Sequence, residues 1–324
     1  MKVFVTGGNG FIGSRVVRAL ITSPLGYDVV CLLRPSSRTD RIDGLAIGRA
    51  LGDVRDLASI RAAMAGCDCT IHLAAPSSWD NDDAPALGDV IEGGMRNVLA
   101  AASALPGHRV VVVSSTAAIN ASRTPQVFDE HTEFAVDDPS LHYAHAKHRA
   151  EVRSREAFTR GVPVIVVNPA EVYGPGDTAL VTAGHLIDFA TSNPVLVCRG
   201  GTGVVHVDDV AAGILAALER GRPGERYILA GENLSIRGLA ELCLELLARR
   251  ARIVTIPNRV ARVVSRMAIR LHLPLPYNPH VVPYATRFWF VDSTKAQREL
   301  GVTFRGARDT IGATLEWMRE ERLI

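Results

Sequence analysis

Charge of one sign, long apolar runs, paired cysteines and internal repeats are all missing from this 324-residue sequence, and each absence excludes something. Lysine and arginine number 36 against 34 for aspartate and glutamate, and the net charge of +2 offers no electrostatic footprint for nucleic acid. No apolar stretch approaches the roughly eighteen residues of a membrane span, and the opening MKVFVTGG is too short in apolar length for a secretory signal. The five cysteines, Cys31, Cys67, Cys69, Cys198 and Cys243, are odd in number and mostly set in apolar runs, so they read as reduced core residues of a cytoplasmic chain. Cys67 and Cys69 have no second Cys or His pair at zinc spacing, and no metal site is expected. The length suits one large or two smaller domains.

What the sequence does have is an alternation of β-branched runs with helical patterns. Residues 2–6 (KVFVT) read as a strand. Gly7, Gly10 and Gly13 follow, with Phe11 and Ile12 between the last two, and a helical pattern begins at once. Glycines at such a turn let a pyrophosphate approach the backbone, and the helix start behind them offers free N–H groups. Residues 27–33 (YDVVCLL) form the next strand, which ends on Arg34, with Arg38 and Arg41 close behind. An arginine there suits the 2′-phosphate of NADP, where an acidic residue would take the ribose hydroxyls of NAD. NADP(H) is therefore the favoured cofactor and NAD(H) the alternative, with Arg34 the first phosphate ligand and Arg38 the second. Asp53 is placed to accept from an adenine amino group, beside Val54, and Asp56 to cap the helix after it. Residues 68–73 (DCTIHL) make a further strand, whose His72 reads as a core histidine and whose exit, Ala74 and Ala75, is small enough for a cofactor to lie against. The turn-rich residues 76–89 read as a loop over the cofactor.

Residues 109–113 (RVVVV) read as a fully buried strand ending in Ser114, Ser115 and Thr116. Ligands of a parallel sheet gather at the carboxyl ends of its strands, so these hydroxyls face the crevice of the glycine loop. In the helical stretch that starts near residue 141, Tyr143 and Lys147 stand four apart on one face. A cation within a few ångströms lowers a phenol from its usual value of about 10, so Tyr143 is expected to exchange a proton near working pH. A strand at 162–168 leads into Pro169 and Val172, and Asp208 or Asp209 is the expected cap of a helix after 204–207. Alternation of this kind predicts an α/β fold, a doubly wound parallel sheet of Rossmann type, with a smaller and mostly helical C-terminal substrate domain. Along residues 259–270, Arg259, Arg262, Arg266 and Arg270 recur opposite Val260, Val263, Val264 and Met267. The favoured reading is a solvated charged face packed on the domain by its valines; surface association with a membrane is the alternative.

Taken together, these motifs resemble the extended short-chain dehydrogenase/reductase family, which is NAD-dependent epimerase/dehydratase-like. They are TGGNGFIG from Thr6, GDVRD from Gly52, HLAA from His72, SST from Ser114, YAHAK from Tyr143, NPAEVYGPGD from Asn168 and VHVDDVAAG from Val205. The resemblance implies that Tyr143 is the general acid/base, that Lys147 holds the nicotinamide ribose and tunes the tyrosine, and that Ser115 or Thr116 orients the substrate oxygen. It implies a nucleotide-binding unit of residues 1–170 with about 204–230, and a substrate unit of 171–203 and 231–324. Nucleotide-sugar members carry an arginine four residues before the histidine of VHVDD, where this chain has Thr202, and the tail looks more like the dihydroflavonol-reductase and hopanoid-associated epimerase-like branches. The expected function is NADP(H)-dependent reduction of a ketone or aldehyde on a small, fairly apolar molecule. The alternatives are a nucleotide-sugar epimerase or dehydratase and a catalytically silent NAD(P)-binding regulator; relatives of this kind also suggest a homodimer.

Overall fold

We describe a computed structural model of the chain over residues 1–76, 87–273, 275 and 278–324. Most of the loop expected over the cofactor, residues 77–86, lies outside the described residues. The first half alternates β1 (Lys2–Thr6), α1 (Phe11–Thr22), β2 (Asp28–Leu33), β3 (Gly48–Leu51), α2 (Leu57–Met64), β4 (Cys69–His72), α3 (Gly94–Ala102) and β5 (Arg109–Val113). One π-helical turn at Asp89–Gly93 leads into α3. Then come β6 (Val127–Phe128), α4 (His142–Thr159), β7 (Val164–Pro169), β8 (Glu171–Tyr173), α5 (Gly184–Thr191), β9 (Val195–Val197), β10 (Gly201–His206), α6 (Val207–Arg220) and β11 (Arg226–Leu229). The last stretch holds β12 (Glu232–Ser235), α7 (Ile236–Leu246), β13 (Ile253–Thr255), α8 (Asn258–Leu271), α9 (Val282–Ala285), β14 (Phe288–Val291), α10 (Thr294–Leu300) and α11 (Ala307–Glu320).

Seven strands form one parallel sheet in the order β11-β7-β5-β4-β1-β2-β3. Strand side chains alternate between faces, and both faces are covered, so each apolar run feeds two cores. Val3 and Val5, Val111 and Val113, and Ile165 and Val167 enter the core under α1 and α6, whereas Phe4, Val110, Val112, Val164 and Val166 enter the core under α2, α3 and α4. The order reverses between β2 and β4 on either side of β1, which opens a crevice at the carboxyl ends of these strands. Asp56 caps α2 as expected, accepting from the amides of Ala58 and Ser59. The cap of α6, however, is the side chain of His206 on the amide of Asp208; Asp209 instead accepts from the amide of Arg305.

Among the later helices the structure adds sheets that periodicity had not resolved. β10 is flanked by β12, antiparallel, and by β14 and β8, parallel, while β9 pairs with β13. A third core of Tyr173, Leu186, Leu239, Ile311 and Met318 lies beneath them. The helix of residues 258–271 does not pack by its valines. Ala261, Ser265 and Ala268 are buried, and Val260, Val263, Val264 and Met267 are exposed.

Below the crevice, a polar network ties four elements together. Glu151 of α4, 2% exposed, accepts from Ser114 Oγ (2.5 Å) and Asn168 Nδ2 (2.6 Å), and its second oxygen meets Arg226 of β11 at 3.3 Å. Asn168 also donates to the Ser115 carbonyl, and Arg226 to the carbonyls of Glu130 and Thr132. Burial pushes the Glu151 carboxyl up, while Ser114, Asn168 and Arg226 pull it back towards ionisation. Removing one partner of a buried pair leaves the other charge uncompensated. Glu151→Ala is expected to cost about 3–5 kcal/mol, read as a lower urea midpoint at unchanged slope; a shift no larger than that of a surface substitution would mean that the network is dispensable.

Candidate active site

The crevice begins at the glycine turn. Gly7 has φ +73°, and a Cβ there would lie 2.9 Å from the Ala74 amide nitrogen, so the loops after β1 and β4 can touch only through glycine. A Cβ on Gly13 would run into the Gly7 carbonyl oxygen, so this residue sets how closely α1 approaches the turn. Gly10 is the N-cap of α1 and places no side-chain acceptor on the first amides, and no acidic residue stands in the first turn. A bare helix start behind a glycine cradle fits the pyrophosphate of a dinucleotide. Thr6 and His72 close the floor: Oγ1 and Nδ1 lie 2.7 Å apart, and burial pushes His72 down to about 3, a neutral core histidine as expected.

Gly7 to Ala75 and Ser114 to Trp289 contribute to one cavity of about 1360 Å³. Gly7, Gly10, Phe11, Ile12, Gly13, Arg34, Asp53, Val54, Ala74, Ala75, Ser114, Ser115, Thr116, Tyr143, Lys147, Pro169 and Val172 all line it. Arg38 does not. Its guanidinium pairs with Asp40 at 3.2 Å and is exposed; among the basic residues that do line the cavity at this end are Arg34, exposed at the end of β2, Arg41 and Arg55. Arg41 spans to the carbonyl of Gly176 (2.8 Å) and to Thr178 (2.6 Å), and so closes the glycine end against the later loop. Asp53 is held by Arg55 through both oxygens, at 3.0 and 2.8 Å, which lowers its carboxyl below the usual range. Asn97 donates to the Val54 carbonyl at 3.0 Å, so α3 fixes the turn beside Asp53.

At the centre, α4 carries Tyr143 and Lys147 to the end of β5. Lys147 Nζ, 6% exposed, donates to the Val113 carbonyl at 3.0 Å and lies 5.7 Å from the centroid of the Tyr143 ring. Burial draws the ammonium down to about 8 against the pull of Glu151. The expected lowering of the tyrosine is not found. Burial pushes the Tyr143 phenol up to about 12, opposed by the Ser115 hydroxyl, although the side chain is only half-buried and lines the cavity. Of the three strand-end hydroxyls, Ser115 faces the phenol and also caps a short 3₁₀ turn on the Ala117 amide. Ser114 is committed to Glu151, and Thr116 is buried at the start of that turn.

The far half of the cavity was not legible in the sequence. Its walls include Leu180, Leu196, Ile236, Ile256, Ile269, Val282, Tyr284 and Trp289. Tyr284 and Trp289 stack at 5.6 Å, and the Trp289 indole donates to the Tyr284 carbonyl. Thr202 also lines the cavity. Arg262 and Arg287 both reach Asp138, at 2.5 and 2.8 Å. The Asp138 carboxyl, disfavoured by its burial, is nevertheless held well below its usual range by Ser140 and Arg287. Glu171, raised to about 7 by burial, also lines the cavity, as does His185, lowered by burial to about 4 and 2.8 Å from Tyr173.

The family model for the NAD dependent epimerase/dehydratase family matches residues 3–230, and the chain belongs to that family. It is an NAD(P)-dependent oxidoreductase of the extended short-chain dehydrogenase/reductase type. Over 98% of its length the chain is 31% identical to a putative dihydroflavonol 4-reductase of Synechocystis, 94% of which is covered. It is equally 31% identical, over the whole of both chains, to sterol demethylase protein B of Methylococcus capsulatus. The crystal structure of gox2253 superposes with a TM-score of 0.85 at 30% identity, covering 98% of each chain.

A phenol raised by burial stays protonated below its pKa and ionises only as pH approaches it. In cofactor-free protein, the phenolate absorbance lost on Tyr143→Phe is expected only as pH nears about 12. A Tyr143-dependent phenolate step near neutral pH would show that the lysine, not burial, governs the group.

Proposed function

We propose that the protein reduces a ketone or aldehyde on a small apolar molecule at the expense of NADPH, with Tyr143 as proton donor. The observation that carries this reading is the Tyr143 phenol, faced by Ser115 and backed by Lys147, where a glycine-cradle crevice opens into a chamber with largely apolar walls. The bound dinucleotide supplies the hydride. The Ser115 hydroxyl fixes the substrate carbonyl oxygen beside Tyr143, whose phenol gives that oxygen its proton as negative charge develops there. Lys147, anchored on the Val113 carbonyl, stabilises the phenolate left behind. The apolar walls and the absence of a cation at Thr202 favour an aromatic or polycyclic substrate over a sugar nucleotide. Relatives named for dihydroflavonol and sterol chemistry support that class. Arg34, exposed and lining the cavity at the end of β2, supports NADPH over NADH.

A second reading, epimerisation or dehydration with the cofactor retained, draws on Glu171. A carboxyl held up to about 7 in the same cavity could serve as a second acid/base group, which such reactions require.

Tyr143→Phe is expected to keep NADPH affinity and to lose about 10²–10⁴-fold in kcat over a panel of apolar ketones; full activity in this variant would sink the assignment. Arg34→Asp should shift the ratio of kcat/KM for NADPH and NADH towards NADH, and an unchanged ratio would mean that Arg34 does not read the 2′-phosphate.

A further inference from the structure

We infer that α8 is an interfacial helix whose outer face docks on an anionic lipid surface. Val260, Val263, Val264, Met267 and Leu271 recur at i, i+3, i+4, i+7 and i+11, which puts them on one side of the helix. They are between 39% and 57% exposed, and Leu273 beyond the helix end is 54% exposed. Scattered exposed apolar residues are ordinary, but a contiguous stripe of them along about three turns is not. The helix is held to the protein by small residues, Ala261, Ser265 and Ala268, and by Arg262 on Asp138. The exposed side is therefore not a failed core face: the anchoring is complete without it.

Charge identifies the occupant. The helix contains four arginines and no acidic residue. Arg262 is neutralised by Asp138, whereas Arg259, Arg266 and Arg270 form a row along one flank of the stripe and have no carboxylate partner among the described residues. Apolar side chains that enter the acyl boundary, with arginines beside them at the depth of the headgroups, are the chemistry of an in-plane helix on an anionic bilayer. Arginine stems can lie along the apolar layer while their guanidinium groups reach phosphate. The inner side of α8 also lines the cavity through Ala261, Arg262, Ser265 and Ile269, and Arg266 stands at the cavity's edge. A docked helix would thus bring the chamber next to the bilayer, where an apolar substrate is concentrated. That consequence rests on the reductase reading; the docking itself does not.

The test is flotation of the full chain with vesicles of phosphatidylcholine alone or mixed with phosphatidylglycerol, comparing the native protein with Val263→Asp/Met267→Asp and Arg259→Gln/Arg270→Gln. Thermal melts establish that both variants are folded. The native protein should float with the anionic vesicles. The apolar variant should lose about tenfold or more in affinity. The arginine variant should fall by about tenfold on anionic vesicles and match the native protein on phosphatidylcholine alone. Absence of flotation by the native protein, or equal flotation by Val263→Asp/Met267→Asp, overturns the inference. So does a native dimer that this variant splits without any vesicle binding, which would assign the face to a second copy of the chain. None of these readouts measures turnover, so a failed reductase assignment leaves them untouched.

Discussion

One buried hydrogen bond, from the ammonium of Lys147 to the carbonyl of Val113, ties the helix that carries Tyr143 to the strand whose end carries Ser115. Helical spacing brings lysine and tyrosine onto one face; the carbonyl decides where that face stops. Beneath it, Glu151 holds Ser114, Asn168 and Arg226, so β5, α4, β7 and β11 meet at a fixed distance from the crevice. The same burial has an electrostatic consequence. Burial raises the phenol and lowers the ammonium, so the first holds its proton more firmly and the second less.

The parts of the site legible in the sequence are those whose chemistry is local. Gly7, Gly10 and Gly13 need only their own turn, and the alternating apolar runs needed only a second face to be covered. Tyr143 and Lys147 were readable as a pair because four residues of helix fix their spacing. What could not be read depends on partners far along the chain or on direction. Arg38 stands outside the cavity, paired with Asp40 two residues on, while Arg41 crosses to Thr178. The cap of α6 comes from His206 rather than from either aspartate because the side chain just before the helix already reaches the Asp208 amide. The sign of the Tyr143 shift follows from burial, which no local pattern announces.

Helix α8 makes the same point about faces. Periodicity separates the arginines from the valines but does not say which side is covered. Asp138, distant in sequence, pairs with Arg262 on a helix whose small residues face inward. The apolar walls of the chamber beneath it arise for equally non-local reasons, since β9, α7, α8 and α9 all contribute residues to it. Substrate class is therefore written in the packing of elements that carry little motif content, and reaction class in the motifs.

In the proposed reduction, hydride leaves the cofactor for good and ends on the carbonyl carbon, while Tyr143 gives its proton to the carbonyl oxygen. The most direct measurement uses NADPH carrying deuterium at the transferable position of the nicotinamide, with an apolar ketone and product analysis by mass spectrometry. One deuterium is expected on the new carbinol carbon for each NADPH oxidised. Deuterium retained on the cofactor through many turnovers, with no net oxidation, would contradict it.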